Sequence, residues 1–85
     1  MNPVTMYSKE TCPYCIYAEQ LLQRKGVANL LKIRIDENPD ELKNMIERTG
    51  RRTVPQIYVG DIHVGGFDEL SALDREGKLD ALLKQ

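Results

Sequence analysis

The feature that most constrains this chain is a C-x-x-C motif, Cys12-Pro13-Tyr14-Cys15, which follows closely on a short β-prone run at residues 4–7. Proline suits the first turn of a helix, where its missing N–H costs nothing, so a helix should begin at Pro13. Apolar residues then recur at helical spacing until Gly26 interrupts the pattern. The motif is therefore predicted to lie where a strand passes into a helix that ends near Lys25.

The remainder of the chain alternates strand and helix signals. Residues 31–35 alternate apolar and basic side chains, which is typical of a strand with one buried face. A second helix is predicted within residues 39–50, and a hairpin around the turn Gly60-Asp61. A final helical region begins near Phe67 and breaks at Gly77. The order β-α-β-α-β-β-α predicts an α/β fold, with a mixed sheet covered by helices and a parallel, right-handed β-α-β unit.

Length and charge restrict the function classes that remain. With 85 residues the chain fits one compact domain, residues 1–85, with a single core. Its formal net charge of -1 provides no field that would attract nucleic acid or a membrane. The N-terminus lacks a basic flank followed by an apolar run, and no stretch of about 18 apolar residues occurs. We therefore expect a cytoplasmic protein with no nucleic-acid or membrane partner.

The cysteine pair is better suited to redox chemistry than to structural support. Residues i and i+3 lie close together on a helix, so Cys12 and Cys15 can form a disulfide without large movement. The positive end of the helix and the nearby Lys9 both favour a thiolate at Cys12, and a thiolate is the species that attacks a disulfide. Cys15 lies deeper in the helix and should remain the more protonated thiol. We therefore expect Cys12 to attack and Cys15 to resolve.

Other roles of a C-x-x-C motif are less compatible with this sequence. A tetrahedral zinc site needs four ligands, and the chain offers only His63 besides the pair, so no metal site is expected. We expect His63 to face solvent from its strand. A purely structural disulfide would close too small a loop to stabilise much. An iron–sulfur cluster shared between two chains stays open.

Three motifs together resemble those of the glutaredoxin family, and the resemblance extends over nearly the whole chain. They are Cys12-Pro13-Tyr14-Cys15, Thr53-Val54-Pro55 and Gly65-Gly66-Phe67-Asp68. The resemblance implies the thioredoxin fold, with a four-stranded mixed sheet flanked by helices. It implies a glutathione-dependent thiol-disulfide oxidoreductase, with glutathione as the reducing co-substrate and no permanently bound cofactor. Its protein substrates would carry disulfides or be glutathionylated, and we expect a monomer.

The resemblance also implies a groove that binds glutathione. Pro55 corresponds to a cis-proline of the family, which leaves the backbone of Val54 free to pair with the tripeptide. Lys9 matches a cation near the glycine end, while Asp68 and the start of the last helix match the groups that hold the γ-glutamyl end. Tyr14 is expected to form a wall of the groove. The full expected set is Lys9, Tyr14, Thr53, Val54, Pro55, Gly66, Phe67 and Asp68.

The sequence departs from the family pattern at two positions. Phe67 stands where many members carry a cysteine or another small residue, and this narrows one end of the groove. Leu42 stands near a position from which a polar or basic residue often reaches glutathione, and Lys43 is the nearest substitute. Arg51 and Arg52 either contact the glycine carboxylate or keep their loop soluble.

Two other functions stay open at this point. Some proteins of this fold and length are reduced directly by thioredoxin reductase. Others carry an iron–sulfur cluster that Cys12 and glutathione would hold between two subunits. The proline after Cys12 and the presence of Cys15 are more typical of the dithiol enzymes. Glutathione-dependent disulfide exchange is therefore the prediction.

Overall fold

A computed structural model describes residues 2–84, and within this range it contains four strands and four helices. In chain order these are β1 (Val4–Ser8), α1 (Pro13–Arg24), β2 (Leu30–Arg34), α2 (Pro39–Thr49), β3 (Gln56–Val59), β4 (Ile62–Gly65), α3 (Phe67–Arg75) and α4 (Lys78–Lys84). The sheet has the order β2-β1-β3-β4, in which β1 and β2 are parallel and the other pairs are antiparallel. The predicted mixed sheet and its element order are confirmed. Positions 1 and 85 of the predicted domain lie outside the described residues.

The helix boundaries follow local signals in the sequence. Pro13 opens α1, and Cys12 before it has an extended backbone and caps the helix. The side chain of Asn38 caps α2 by accepting from the N–H of Asp40 across 3.1 Å. Helix α2 ends where Gly50 adopts the left-handed conformation with φ 71°, which glycine tolerates best. Local rules therefore make α1 begin at the residue that follows the first cysteine.

The core lies on both faces of the two central strands. On one face, side chains of β1 and β3 pack against α1, α3 and α4, and this cluster includes both cysteines. Leu22 of α1, which is 0% exposed, is part of it. On the other face, Tyr7, Met45 and Tyr58 form a smaller cluster with α2. The motif is thus attached to the larger core through the helix that it begins.

Strand β2 differs from the prediction of one buried face. Leu31 is 59% exposed, and Ile33 is only partly buried. The reason is topological, because β2 lies at the edge of the sheet, where helices cover it incompletely. Its basic side chains engage in ion pairs, Lys32 with Glu19 at 3.1 Å and Arg34 with several acids. Alternation correctly indicated the strand but not how deeply it is buried.

Leu22 is buried in the core and Leu31 is exposed on the edge strand, and this difference in burial gives a stability prediction. Leu22→Ala leaves a cavity in the core and should lower the free energy of unfolding by about 2–5 kcal/mol. Leu31→Ala removes the same atoms from an exposed site and should cost less than about 0.5 kcal/mol. Urea unfolding of both variants in the same redox state measures the two values. Equal losses would contradict the assignment of β2 as a poorly covered edge.

Candidate active site

The two cysteines lie at the start of α1 in unequal positions. Their Cα atoms are 5.2 Å apart and their sulfurs are within bonding distance, so the pair forms a disulfide. The Cys12 sulfur is the cap of the helix and accepts the N–H of Cys15 across 3.2 Å. Cys15 itself belongs to the first turn. A negative charge on the Cys12 sulfur would therefore face an N–H donor and the positive end of the helix.

The loop before β3 brings Val54 to the same sulfur. The Val54–Pro55 peptide bond is cis, which confirms the expectation for Pro55. The carbonyl oxygen of Val54 lies 3.8 Å from the Cys12 sulfur, although 42 positions separate the two residues in the chain. The fold thus brings Cys12 of the first motif next to Val54 of the second.

A groove of about 250 Å³ runs from this point to the start of α3. It is lined by the predicted residues Tyr14, Thr53, Val54, Pro55, Gly66, Phe67 and Asp68, together with Arg51, Gln56 and Glu69. All of the predicted groove residues except Lys9 therefore share one surface. The structure brings the three sequence motifs together around a single open cavity.

Lys9 lies elsewhere. It is exposed and lines a second cavity of about 160 Å³, in which Cys15 also takes part. The loop that carries Lys9 is held where the N–H of Glu10 donates to Asp36 across 3.0 Å, and Asp36 pairs in turn with Arg34. The Arg34 guanidinium, with help from the Glu10 N–H, holds the pKa of Asp36 well below its usual range. Lys9 is thus placed beside Cys15 by an anchored loop, and it is not among the residues that line the groove.

Three aromatic rings form a cluster beside the dithiol, and two of them, Tyr14 and Phe67, line the groove. Tyr14, which is 58% exposed, lies 6.1 Å from Tyr17 and 6.1 Å from Phe67, measured between ring centroids. Tyr17 and Phe67 are 6.0 Å apart. Tyr17 was not among the predicted site residues, although its i,i+3 spacing from Tyr14 places the two rings on one helix face. Phe67 therefore belongs to an aromatic cluster beside the dithiol.

The groove also contains an ion pair that the sequence analysis missed. Arg51 donates to the carboxylate of Glu69 across 2.6 Å, and the same oxygen accepts the N–H of Gly66 across 2.9 Å. The Gly66 N–H and then Arg51 lower the pKa of Glu69. A glutamate three residues after a helix cap is a known signature, so the spacing from Gly66 could have indicated Glu69. Of the two arginines left open above, Arg51 lines the groove and Arg52 does not.

Gln56 lines the groove and is hydrogen-bonded to the loop before β3. It is 0% exposed, and its amide nitrogen donates to the carbonyl of Thr53 across 2.9 Å. Its amide oxygen lies 2.8 Å from Nε2 of His63, which must therefore be the donor. His63 is partly buried against Tyr58, and burial lowers its pKa, so the prediction of a solvent-facing side chain is wrong. The His63 side chain is held inward because the buried amide oxygen of Gln56 accepts a hydrogen bond from its imidazole.

Helix α2 does not line the groove in the part of the chain that the structure describes. Leu42 packs against the cluster of Tyr7, Met45 and Tyr58 on the other side of the sheet. Lys43 is exposed. The groove is therefore formed by the loop before β3, the start of α3 and Tyr14, and Leu42 is not one of the residues that line it.

Comparisons with known proteins agree on one family. The family model described as Glutaredoxin matches residues 4–64. The chain is 53% identical to a glutaredoxin of Pseudomonas aeruginosa, over 98% of both chains. It is 51% identical to glutaredoxin 3 of Escherichia coli, over 99% of this chain and 100% of that protein. A crystal structure of a buckwheat glutaredoxin–glutathione complex superposes with a TM-score of 0.87 at 34% identity, covering 98% of this chain and 77% of that one.

Proposed function

The chain belongs to the glutaredoxin family, and from this membership and its site we propose that it reduces disulfides with glutathione as the reductant. The observation that carries the proposal is the position of the Cys12 sulfur. It caps α1, accepts the N–H of Cys15, and lies 3.8 Å from the Val54 carbonyl at the edge of the groove. A similar protein of known structure is a glutathione complex. The chain is accordingly a glutathione-dependent disulfide oxidoreductase with the thioredoxin fold.

The first reaction removes glutathione from a glutathionylated protein. The Cys12 thiolate attacks the glutathione-side sulfur, the mixed disulfide breaks, and the protein thiolate leaves and takes up a proton. Glutathione is now joined to Cys12. The thiolate of a second glutathione attacks the sulfur of the bound glutathione, which breaks the bond to Cys12, releases glutathione disulfide and restores the Cys12 thiolate. The helix N-terminus favours the charged sulfur at the beginning and the end of the cycle.

The second reaction reduces an ordinary protein disulfide and needs both cysteines. Cys12 attacks one sulfur of the substrate and forms a mixed disulfide, and the thiolate of Cys15 then displaces the reduced substrate. The product is the Cys12–Cys15 disulfide, which is the state of this structure. Two glutathione molecules return it to the dithiol. Cys15 is suitably placed because its Cα lies only 5.2 Å from that of Cys12.

The groove supplies the proposed binding site for glutathione. The backbone of Val54 pairs with the cysteine residue of the tripeptide as an added strand, which directs its sulfur towards Cys12. The γ-glutamyl end lies at the start of α3, where Gly66, Phe67 and Asp68 meet. Lys9, in the loop beside Cys15, is the proposed cation for the glycine carboxylate. The remaining proposed contacts are Tyr14, Thr53 and Pro55, which line the same groove.

The cellular setting of the enzyme forms part of the proposal. None of the helices within residues 2–84 has the length and apolar character needed to cross a membrane. We place the enzyme in the cytoplasm, where a reducing glutathione pool can regenerate the dithiol. We also propose that it acts as one domain and as a monomer, because one chain supplies both cysteines and every groove residue. Its substrates are proteins that carry disulfides or bound glutathione.

A coupled assay tests this function. The wild-type protein should reduce the mixed disulfide of glutathione and a small thiol when glutathione, glutathione reductase and NADPH are present. The parallel reaction contains thioredoxin reductase and NADPH without glutathione. Turnover should depend on glutathione in the first reaction and be absent from the second. Turnover that needs only thioredoxin reductase would show that the chain is a redoxin of a different reductant class.

A further inference from the structure

The loop that carries Val54 is hydrogen-bonded to the sheet through a buried side chain. Thr53 and Val54 lie between the end of α2 and the start of β3, outside any helix or strand. The amide nitrogen of Gln56 donates to the carbonyl of Thr53 across 2.9 Å and lies 3.4 Å from its hydroxyl oxygen. Gln56 is the first residue of β3 and is fully buried. Its amide therefore fixes where the Thr53 carbonyl lies relative to the sheet.

The orientation of the Gln56 amide is set by His63. A carbonyl oxygen only accepts hydrogen bonds, so the Thr53 carbonyl requires the NH2 group of this amide. The amide oxygen then faces the other way and lies 2.8 Å from Nε2 of His63. Because the amide oxygen is buried, it needs a donor, and the imidazole N–H supplies one. Without that N–H the amide would leave its oxygen unsatisfied, or it would turn that oxygen towards the Thr53 carbonyl.

His63 is held in place by its neighbour on β3. Its ring lies 5.0 Å from the ring of Tyr58, measured between centroids, and the two residues are paired across the hairpin. Burial, together with the Arg51 guanidinium, lowers the pKa of His63, so the imidazole is neutral at pH 7. A neutral imidazole has one N–H, and here it is given to Gln56.

We propose that Gln56 and His63 are positioning residues for disulfide exchange: His63 orients the Gln56 amide, which holds the loop beside Cys12. This rests on the proposed function, in which a glutathionylated substrate pairs with the backbone of Val54. The Val54 carbonyl lies 3.8 Å from the Cys12 sulfur. A shift of this backbone by about an ångström would therefore move the substrate sulfur away from the attacking thiolate.

Two substitutions of His63 separate the effect of its N–H from the effect of its ring. His63→Gln keeps a donor for the Gln56 amide oxygen and removes the ring. His63→Phe keeps a ring that can pack on Tyr58 and removes the donor. At fixed glutathione, kcat/KM for a glutathionylated peptide reports the half-reaction in which Cys12 attacks. It should fall by about three- to tenfold in His63→Phe and stay within about twofold of the wild-type value in His63→Gln.

A substitution of Gln56 tests the other end of the same connection. Gln56→Met has a similar size and cannot donate to Thr53, so kcat/KM should fall about as far as in His63→Phe. The matched control is Gln23→Met, the same change at an exposed position of α1, which should keep the wild-type value.

A second measurement distinguishes a displaced loop from a weakened nucleophile. Alkylation of Cys12 by iodoacetamide in the reduced protein depends on the thiolate and not on the loop, so its rate should agree within about twofold in all variants. Urea unfolding controls for stability. Because His63→Phe keeps the packing on Tyr58, lost stability would not make it less active than His63→Gln.

Three outcomes would overturn the proposal. A wild-type kcat/KM in His63→Phe, with an active wild-type enzyme, would show that the N–H does not position the loop. Equal losses in His63→Phe and His63→Gln would assign the effect to the ring. A wild-type protein that turns over no glutathionylated peptide would overturn the proposed function, and the positioning role with it.

Discussion

Replacing Cys12 with serine is expected to reduce both reactions by about a thousandfold or more. A serine hydroxyl is a far weaker nucleophile than a thiolate, and removing the nucleophile of an enzyme has effects of this order or larger. The fold itself should be preserved. Serine is a preferred helix cap, so its oxygen can accept the N–H of Cys15 that the Cys12 sulfur accepts here. The measurement is the glutathione-dependent rate with a mixed disulfide and with a protein disulfide.

The control for Cys12→Ser is its unfolding curve in urea, compared with that of the reduced wild-type protein. Similar curves would show that the loss is chemical. If a substantial part of the wild-type rate survived in the variant, Cys12 would not be the attacking group and the proposed mechanism would be wrong.

Replacing Cys15 with serine is expected to separate the two reactions. Deglutathionylation uses only Cys12, so its rate should remain within a few-fold of the wild-type rate. Reduction of a protein disulfide needs Cys15 to displace the substrate, so its rate should fall by about a hundredfold or more. Cys15 is nearly buried in the first turn of α1, and a serine hydroxyl there can bond within the helix. The same two assays measure both effects in one preparation.

The protein-disulfide reaction of Cys15→Ser should also stop at an identifiable intermediate. The substrate should remain joined to Cys12, and mass spectrometry of the quenched reaction would detect the adduct. Equal losses in both reactions would contradict the division of roles between the cysteines. Wild-type protein, quenched at the same times, serves as the reference.

Local sequence signals were sufficient to predict the order of elements. Pro13 and Gly50 act on their own backbone, through a fixed φ and a tolerated positive φ, so they mark helix boundaries wherever the chain folds. The turn Gly60-Asp61 predicts its hairpin in the same way. The approach of Val54 to Cys12 could be predicted only from the family resemblance of the combined motifs, because no local rule connects residues so far apart in the chain.

The features that were missed depend on tertiary neighbours. The alternation at Leu31 is the same for an edge strand and a central strand, and only the sheet order decides its burial. His63 is drawn inward by the buried amide of Gln56, which lies on the neighbouring strand. Glu69 forms its ion pair with Arg51, which comes from another loop. Each of these outcomes requires a second element whose position the sequence pattern does not contain.

The exposed edges of the sheet affect how the protein behaves in a crowded mixture. Strand β2 carries Lys32 and Arg34, and a foreign strand that paired with it would have to remove water from these charges and their acidic partners. Strand β4 at the opposite edge has only four residues, and its pairing with β3 is interrupted by a shift of register. Both edges are therefore poor templates for strand addition. The folded protein should therefore resist joining the aggregates of other chains through its sheet edges.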